Sequence, residues 1–141
     1  MKNHQELFYN LAYNLALVAY KLDEVPVGAV IIKNDTYELI SSGYNQMRSN
    51  KSSLDHAEML ALRSAMSRLN QERLIGCSMI TTLEPCPMCA QAISYARLSS
   101  VSFSAEDVKS GGILHGPRIF DSSSCHHKPD VIRYDAVSYT H

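Results

Sequence analysis

Apolar residues at Leu7, Phe8, Leu11, Ala12, Leu15, Val18, Ala19 and Leu22 recur every three or four positions, which predicts an amphipathic helix over residues 4–22. The period then changes. Val27 to Ile32 is an almost unbroken apolar run, the pattern of a strand buried on both faces, and Lys33-Asn34-Asp35 after it predicts a hairpin turn. The partner strand is expected over Tyr37 to Ser42, stopped by Gly43, with the polar and unpatterned Asn45 to Ser53 as a loop. Helical spacing returns at Met59, Leu60, Leu62, Ala65, Met66 and Leu69, so a second helix is expected from Asp55 to Leu69, capped by Ser53 or Asp55.

Cys77 to Leu83 reads as a third strand, and Val101 to Ser104 as a fourth. Between them Cys86 to Leu98 is a third helix, which accepts Pro87 because the first helical turn needs no amide hydrogen there. After Gly111-Gly112 the pattern decays into loop at Gly116-Pro117 and Ser122-Ser123-Ser124, and Val131 to Val137 is expected as a last strand. Helix, hairpin, then strands alternating with helices predict an α/β layered fold with a mixed sheet. No repeat, linker or low-complexity run divides the 141 residues, so 1–141 is read as a single domain with one core.

Composition narrows the class. Hydrophobic residues make up 45% and charged ones 19%, which excludes a disordered chain. Thirteen Lys and Arg against fourteen Asp and Glu leave a net charge of -1, so any nucleic-acid contact must be local. Arg97, Lys109, Arg118, Lys128 and Arg133 could frame a phosphate track, although scattered basic residues more often solvate a surface. No signal peptide and no membrane span are expected, which places the protein in the cytoplasm, where paired cysteines bind metal or do redox work more often than they form stable disulfides.

Two of the four cysteines stand in Glu84-Pro85-Cys86-Pro87-Met88-Cys89. Two thiolates leave a zinc shell incomplete, and His56, at the expected start of the second helix, can supply a third ligand. Structural zinc sites are closed by four protein ligands, so an inventory of three points to catalysis. Glu58, two residues beyond His56, lies off the same ligand face and can instead take a proton from a water at the open position. Zinc lowers the pKa of such a water to about 7. H-x-E followed by P-C-x-x-C is a known signature of zinc-dependent nucleobase deaminases, rather than something the spacing alone establishes, and it stands here as His56-Ala57-Glu58 and Pro85-Cys86-Pro87-Met88-Cys89. A structural metal or redox pair is the bland alternative; it leaves Glu58 without a role. Cys77 and Cys125-His126-His127 are read as structural, as lone cysteines and loop histidines usually are.

The chain resembles the cytidine deaminase superfamily and, within it, the bacterial tRNA-specific adenosine deaminases, which convert the wobble adenosine to inosine. The likeness runs from about residue 6 to 111 and adds three stretches to the zinc motif: Glu24-Val25-Pro26-Val27-Gly28-Ala29-Val30, Gly43-Tyr44-Asn45 and Asp107-Val108-Lys109-Ser110-Gly111. The resemblance implies a three-layer α/β/α fold with a mixed, about five-stranded sheet, and usually a homodimer. It implies one zinc per protomer on His56, Cys86 and Cys89, with Glu58 as the proton shuttle. It also implies that Asn45 and the backbone of Ala57 hold the base, that Val25 forms part of the apolar pocket wall, and that Asp107 lies near the substrate nucleotides. A tRNA anticodon loop is the expected substrate. Residues 113–141 lack the helical pattern that grips the anticodon stem-loop in that branch, which keeps open a deaminase of free nucleosides or bases such as guanine or cytosine. The non-enzyme alternative is a non-catalytic, zinc-stabilised RNA-binding module, in which Glu58 would have no acid–base role.

Overall fold

The computed structural model describes residues 2–135. Helix α1 (Lys2–Lys21) leads into the hairpin β1 (Gly28–Lys33) and β2 (Leu39–Tyr44), followed by α2 (Ala57–Leu69), β3 (Cys77–Leu83), α3 (Pro87–Tyr95), β4 (Ser100–Ala105) and β5 (Asp130–Arg133). The five strands form one sheet in the order β2-β1-β3-β4-β5. β1 is antiparallel to both β2 and β3, whereas β3, β4 and β5 run parallel, so the sheet is mixed as expected. The β3-α3-β4 crossover is what makes the parallel half possible, because parallel neighbours need a connection long enough to return to the same edge.

β1 shows why the run from Val27 to Ile32 has no polar alternation. Val30 and Ile32 pack with Phe8 and Tyr9 of α1 on one face, while Ala29 and Ile31 join the core beneath α2 and α3 on the other. A strand covered on both faces buries every side chain. The larger core includes Leu62, Met79, Ile93, Val101 and Phe103, and it sits between the sheet and the α2–α3 layer. The result is the three-layer α/β/α arrangement. Among the described residues no helix is long and apolar enough to cross a membrane.

Several boundaries differ from expectation for identifiable reasons. Tyr37 has a positive φ of 59° and belongs to the turn, so β2 starts at Leu39. Gly43 does not stop that strand. It lets β2 run against α2, since a Cβ there would lie 2.6 Å from the carbonyl oxygen of Ala57. Neither Ser53 nor Asp55 caps α2; its N-cap is His56, whose side chain makes no capping bond. α3 ends at Tyr95 rather than Leu98, because Arg97 turns into the left-handed region with φ 62°. β5 ends at Arg133, short of the expected Val137, and residues 136 and 137 lie outside the described residues.

Candidate metal centre and active site

The sheet order places the starts of α2 and α3 side by side, and the chemistry gathers at those two ends. His56 is the N-cap of α2, Cys86 is the N-cap of α3, and Cys89 lies in the first turn of α3 with Pro87 and Met88 between them. Nδ1 of His56 is 3.7 Å from Sγ of Cys86 and 3.7 Å from Sγ of Cys89. All three donor atoms lie within 4.8 Å of one another, and this is the one such group of histidine, cysteine and acid among the described residues. Zinc–nitrogen and zinc–sulfur bonds in a tetrahedron put their donors about 3.6 Å apart, so one imidazole and two sulfurs at these separations fit a zinc ion. Both cysteines are free thiols in the structure.

The electrostatics favour a cation. Cys89 hydrogen-bonds to Cys86 and lowers it to about 5, against burial, with the α3 amides of Cys89 and Met88 and the charge of His56 adding to the effect. The same bond, together with burial, pushes Cys89 upward. Both sulfurs stand at the N-terminal end of α3, an environment suited to thiolates. A divalent cation at this position would take both sulfurs deprotonated.

Glu58 stands on the first turn of α2 and is 4% exposed. Burial raises its carboxyl to about 7; Cys86 adds to the rise, while hydrogen bonds to its own backbone amide and to Cys89 oppose it. A carboxyl that titrates near neutrality can both accept and return a proton.

The expected base-binding residues fall in different surroundings. Asn45, 4% exposed, accepts the amide hydrogen of Ala57 on its Oδ1 at 2.7 Å, so the two form one unit at the start of α2. The Asn45 backbone N–H in turn donates to the carbonyl of Val27 at 3.2 Å, which brings the Glu24 to Val27 linker alongside. Val25 in that linker is 52% exposed, and the amide of Val27 donates back to its carbonyl. Asp107 follows β4, accepts the Ser110 amide hydrogen on Oδ1 and donates its own to Glu84.

Two buried carboxylates, Glu24 and Glu84, escaped the sequence reading. Both lead motifs quoted above, Glu24-Val25-Pro26-Val27 and Glu84-Pro85-Cys86, but a buried acid has no period, and only its position before the proline segments set it apart. Cys125 and His127 are structural: Sγ of Cys125 and Oγ of Ser94 are 3.4 Å apart, and Nε2 of His127 meets the carbonyl of Leu98. Of the basic residues, Arg118 pairs with Asp121, Arg133 with Glu106, and Lys128 donates to the carbonyl of Ser122. Lys109 is exposed.

Comparison with known proteins agrees with this geometry. The family described as the cytidine and deoxycytidylate deaminase zinc-binding region matches residues 2–105. A tRNA-specific adenosine deaminase of Agrobacterium fabrum is 42% identical over 124 residues, 88% of this chain and 80% of that protein. A solved structure from work on A-to-I editing by tRNA:A34 deaminases at the wobble position of transfer RNA superposes with a TM-score of 0.87 at 41% identity, covering 90% of this chain and 96% of that one. A guanine deaminase from Bacillus subtilis superposes with a TM-score of 0.68 at 36% identity, over 72% of this chain and 64% of that one.

Proposed function

This chain belongs to the cytidine and deoxycytidylate deaminase family and is a zinc-dependent hydrolytic deaminase, and we propose that it converts adenosine to inosine at the wobble position of tRNA. The observation that carries the chemistry is the meeting of His56, Cys86 and Cys89 at two adjacent helix starts with Glu58 buried beside them. In this reading His56, Cys86 and Cys89 hold the zinc, and Glu58 moves the protons. When bound, the ion makes a water molecule acidic enough to attack near neutral pH.

The rest falls to the protein's own side chains. Glu58 takes the proton that the attacking water gives up, delivers it to the neighbouring ring nitrogen, and then assists the departing amine, so that adenosine and water yield inosine and ammonia. Asn45 has its oxygen committed to Ala57, which leaves its side-chain NH2 to donate to the base. Val25 contributes apolar wall, and Asp107 lies where the flanking nucleotides pass. A base in a folded loop must first be flipped out of its stack to reach such a pocket. The two tRNA-directed relatives are similar over most of their length, which supports a tRNA substrate.

The likeness to a guanine deaminase favours a second reading, hydrolysis of free guanine. The two are separated by incubating the zinc-loaded protein with an adenosine-34 tRNA and, separately, with guanine, measuring inosine and ammonia. Inosine at position 34 is expected. Ammonia from guanine with an unchanged tRNA would overturn the tRNA assignment and leave the zinc chemistry standing. We retain a cytoplasmic homodimer as part of the proposal. The groove between α2 and α3, where Met59, Met66, Ala92 and Tyr95 lie beside Arg63 and Glu72, supports a second copy as its cover, and sedimentation tests it.

A further inference from the structure

Two loops flank the cluster of His56, Cys86 and Cys89, and each is tied down by one buried carboxylate. Residues 45–55 run from Asn45 to the residue before His56. Within them the Arg48 and Ser49 amides donate to Glu24 at 3.1 and 2.7 Å, and the Ser49 hydroxyl donates to it at 2.7 Å. Glu24 is 5% exposed. Residues 106–115 lie against the cysteine turn. Glu84, 2% exposed, accepts the amide hydrogens of Asp107, Ile113, Leu114 and His115 at 2.9–3.1 Å and meets Nδ1 of His115 at 2.9 Å.

The fit leaves no room on that side. A Cβ on Gly111 would lie 2.4 Å from the Glu84 carboxylate, and one on Gly112 would lie 2.5 Å from the nitrogen of Pro87. The Gly112 amide also donates to the carbonyl of Pro85. A carboxylate is an acceptor only, so it suits a ring made wholly of donors, and a buried one left unpaired is costly. The loop amides satisfy the acid, and the acid fixes the loops.

We propose that Glu24 and Glu84 are paired positioning residues: each holds one wall loop of the pocket in place for the substrate, apart from the zinc ligands and Glu58. The inference rests on the reading above that the pocket takes a nucleotide within RNA. The Glu84 tether fixes Asp107 and, through the rest of the loop, Lys109. The Glu24 tether fixes the stretch between Asn45 and His56.

The test uses the zinc-loaded full chain with Glu24→Gln and Glu84→Gln. Glutamine keeps the size but turns an NH2 toward donors. Zinc content should stay unchanged. In Glu84→Gln, amide exchange at 107 and 113–115 should quicken at least about tenfold while 48 and 49 stay protected, and Glu24→Gln should show the reverse. On an anticodon stem-loop RNA, KM should rise about tenfold while kcat changes less than about threefold. Should Glu84→Gln not fold, His115→Ala shows the same pattern in weaker form, and His115→Asn, which restores a donor to Glu84, returns it toward wild type. Unchanged exchange at the tethered amides, exchange quickened evenly along the chain with loss of zinc, or a fall in kcat with KM unchanged would each overturn the proposal. If the wild type turns over no RNA, the substrate reading fails on its own, and the exchange pattern still decides the tethers.

Discussion

Asn45 Oδ1 lies 2.7 Å from the Ala57 nitrogen and accepts its hydrogen, so the start of α2 is capped by a residue twelve positions upstream instead of by its own N-cap, His56. The arrangement leaves the His56 ring free to point at the two cysteine sulfurs, and it ties the loop after β2 to the metal centre. Under the proposed function the same amide side chain serves both helix and pocket, and substitution can separate its two halves.

Asn45→Asp keeps the acceptor and removes the donor. It should preserve zinc binding and most of the stability, because an anion is tolerated at a helix N-terminus, while activity falls about 10- to 100-fold from the lost bond to the base. Asn45→Ala should lose activity and also about 1 kcal/mol or more of stability, since it removes the cap as well. Denaturant unfolding beside kinetics checks both. An Asp variant as active as wild type would remove Asn45 from base recognition.

Glu58→Gln preserves shape and loses the base. Zinc should stay at wild-type stoichiometry while kcat falls at least about 100-fold, the usual scale of general acid–base catalysis. Elemental analysis and single-turnover kinetics are the measurements. Near-normal turnover would reassign the proton shuttle.

Glu58 also makes a prediction for the metal-free protein. Its folded carboxyl titrates at about 7 against an ordinary 4.5, because burial disfavours the charge. The folded state therefore holds this proton more tightly than the unfolded chain, and stability is lost as pH rises from 4.5 through 7. After chelation, Glu58→Gln should be more stable than wild type by about 1–3 kcal/mol at pH 8, with the difference vanishing at pH 4. Equal pH profiles for the two proteins would contradict a carboxyl buried in this way.

Zinc itself should be held by three protein donors. Cys86→Ser or His56→Ala should lower zinc content and abolish activity together, and X-ray absorption on the wild type should find one nitrogen and two sulfur donors from protein with an oxygen completing the shell. A fourth protein donor would make the site structural.

Binding to tRNA should weaken steeply with salt in spite of the net charge of -1, because the contacts with phosphate are local. Lys109→Ala should reduce the slope of log affinity against log salt by about one, measured by filter binding across a salt series. An unchanged slope would take Lys109 out of the phosphate contacts.

The local physics of the chain was legible in the order of its residues. Periods of three to four marked α1 and α2, the almost unbroken run from Val27 to Ile32 marked the doubly covered β1, and Pro87 suited the first turn of α3. That His56, Cys86 and Cys89 would come together was legible as well, because a zinc site accepts few residue types and constrains their spacing. Contacts across the fold were not. The close approach of β2 to α2 turned Gly43 from a strand stop into a strand residue, and the cap of α2 came from Asn45 rather than from Ser53 or Asp55. No period in the sequence pattern set Glu24 and Glu84 apart from other acids, and folding buries each beneath a loop whose amides donate to it. Apolar patterning depends on each residue's own preference for water and so survives in one dimension. A buried carboxylate is stable only through donors supplied from elsewhere in the chain, so its role exists only once the tertiary structure has brought them to it.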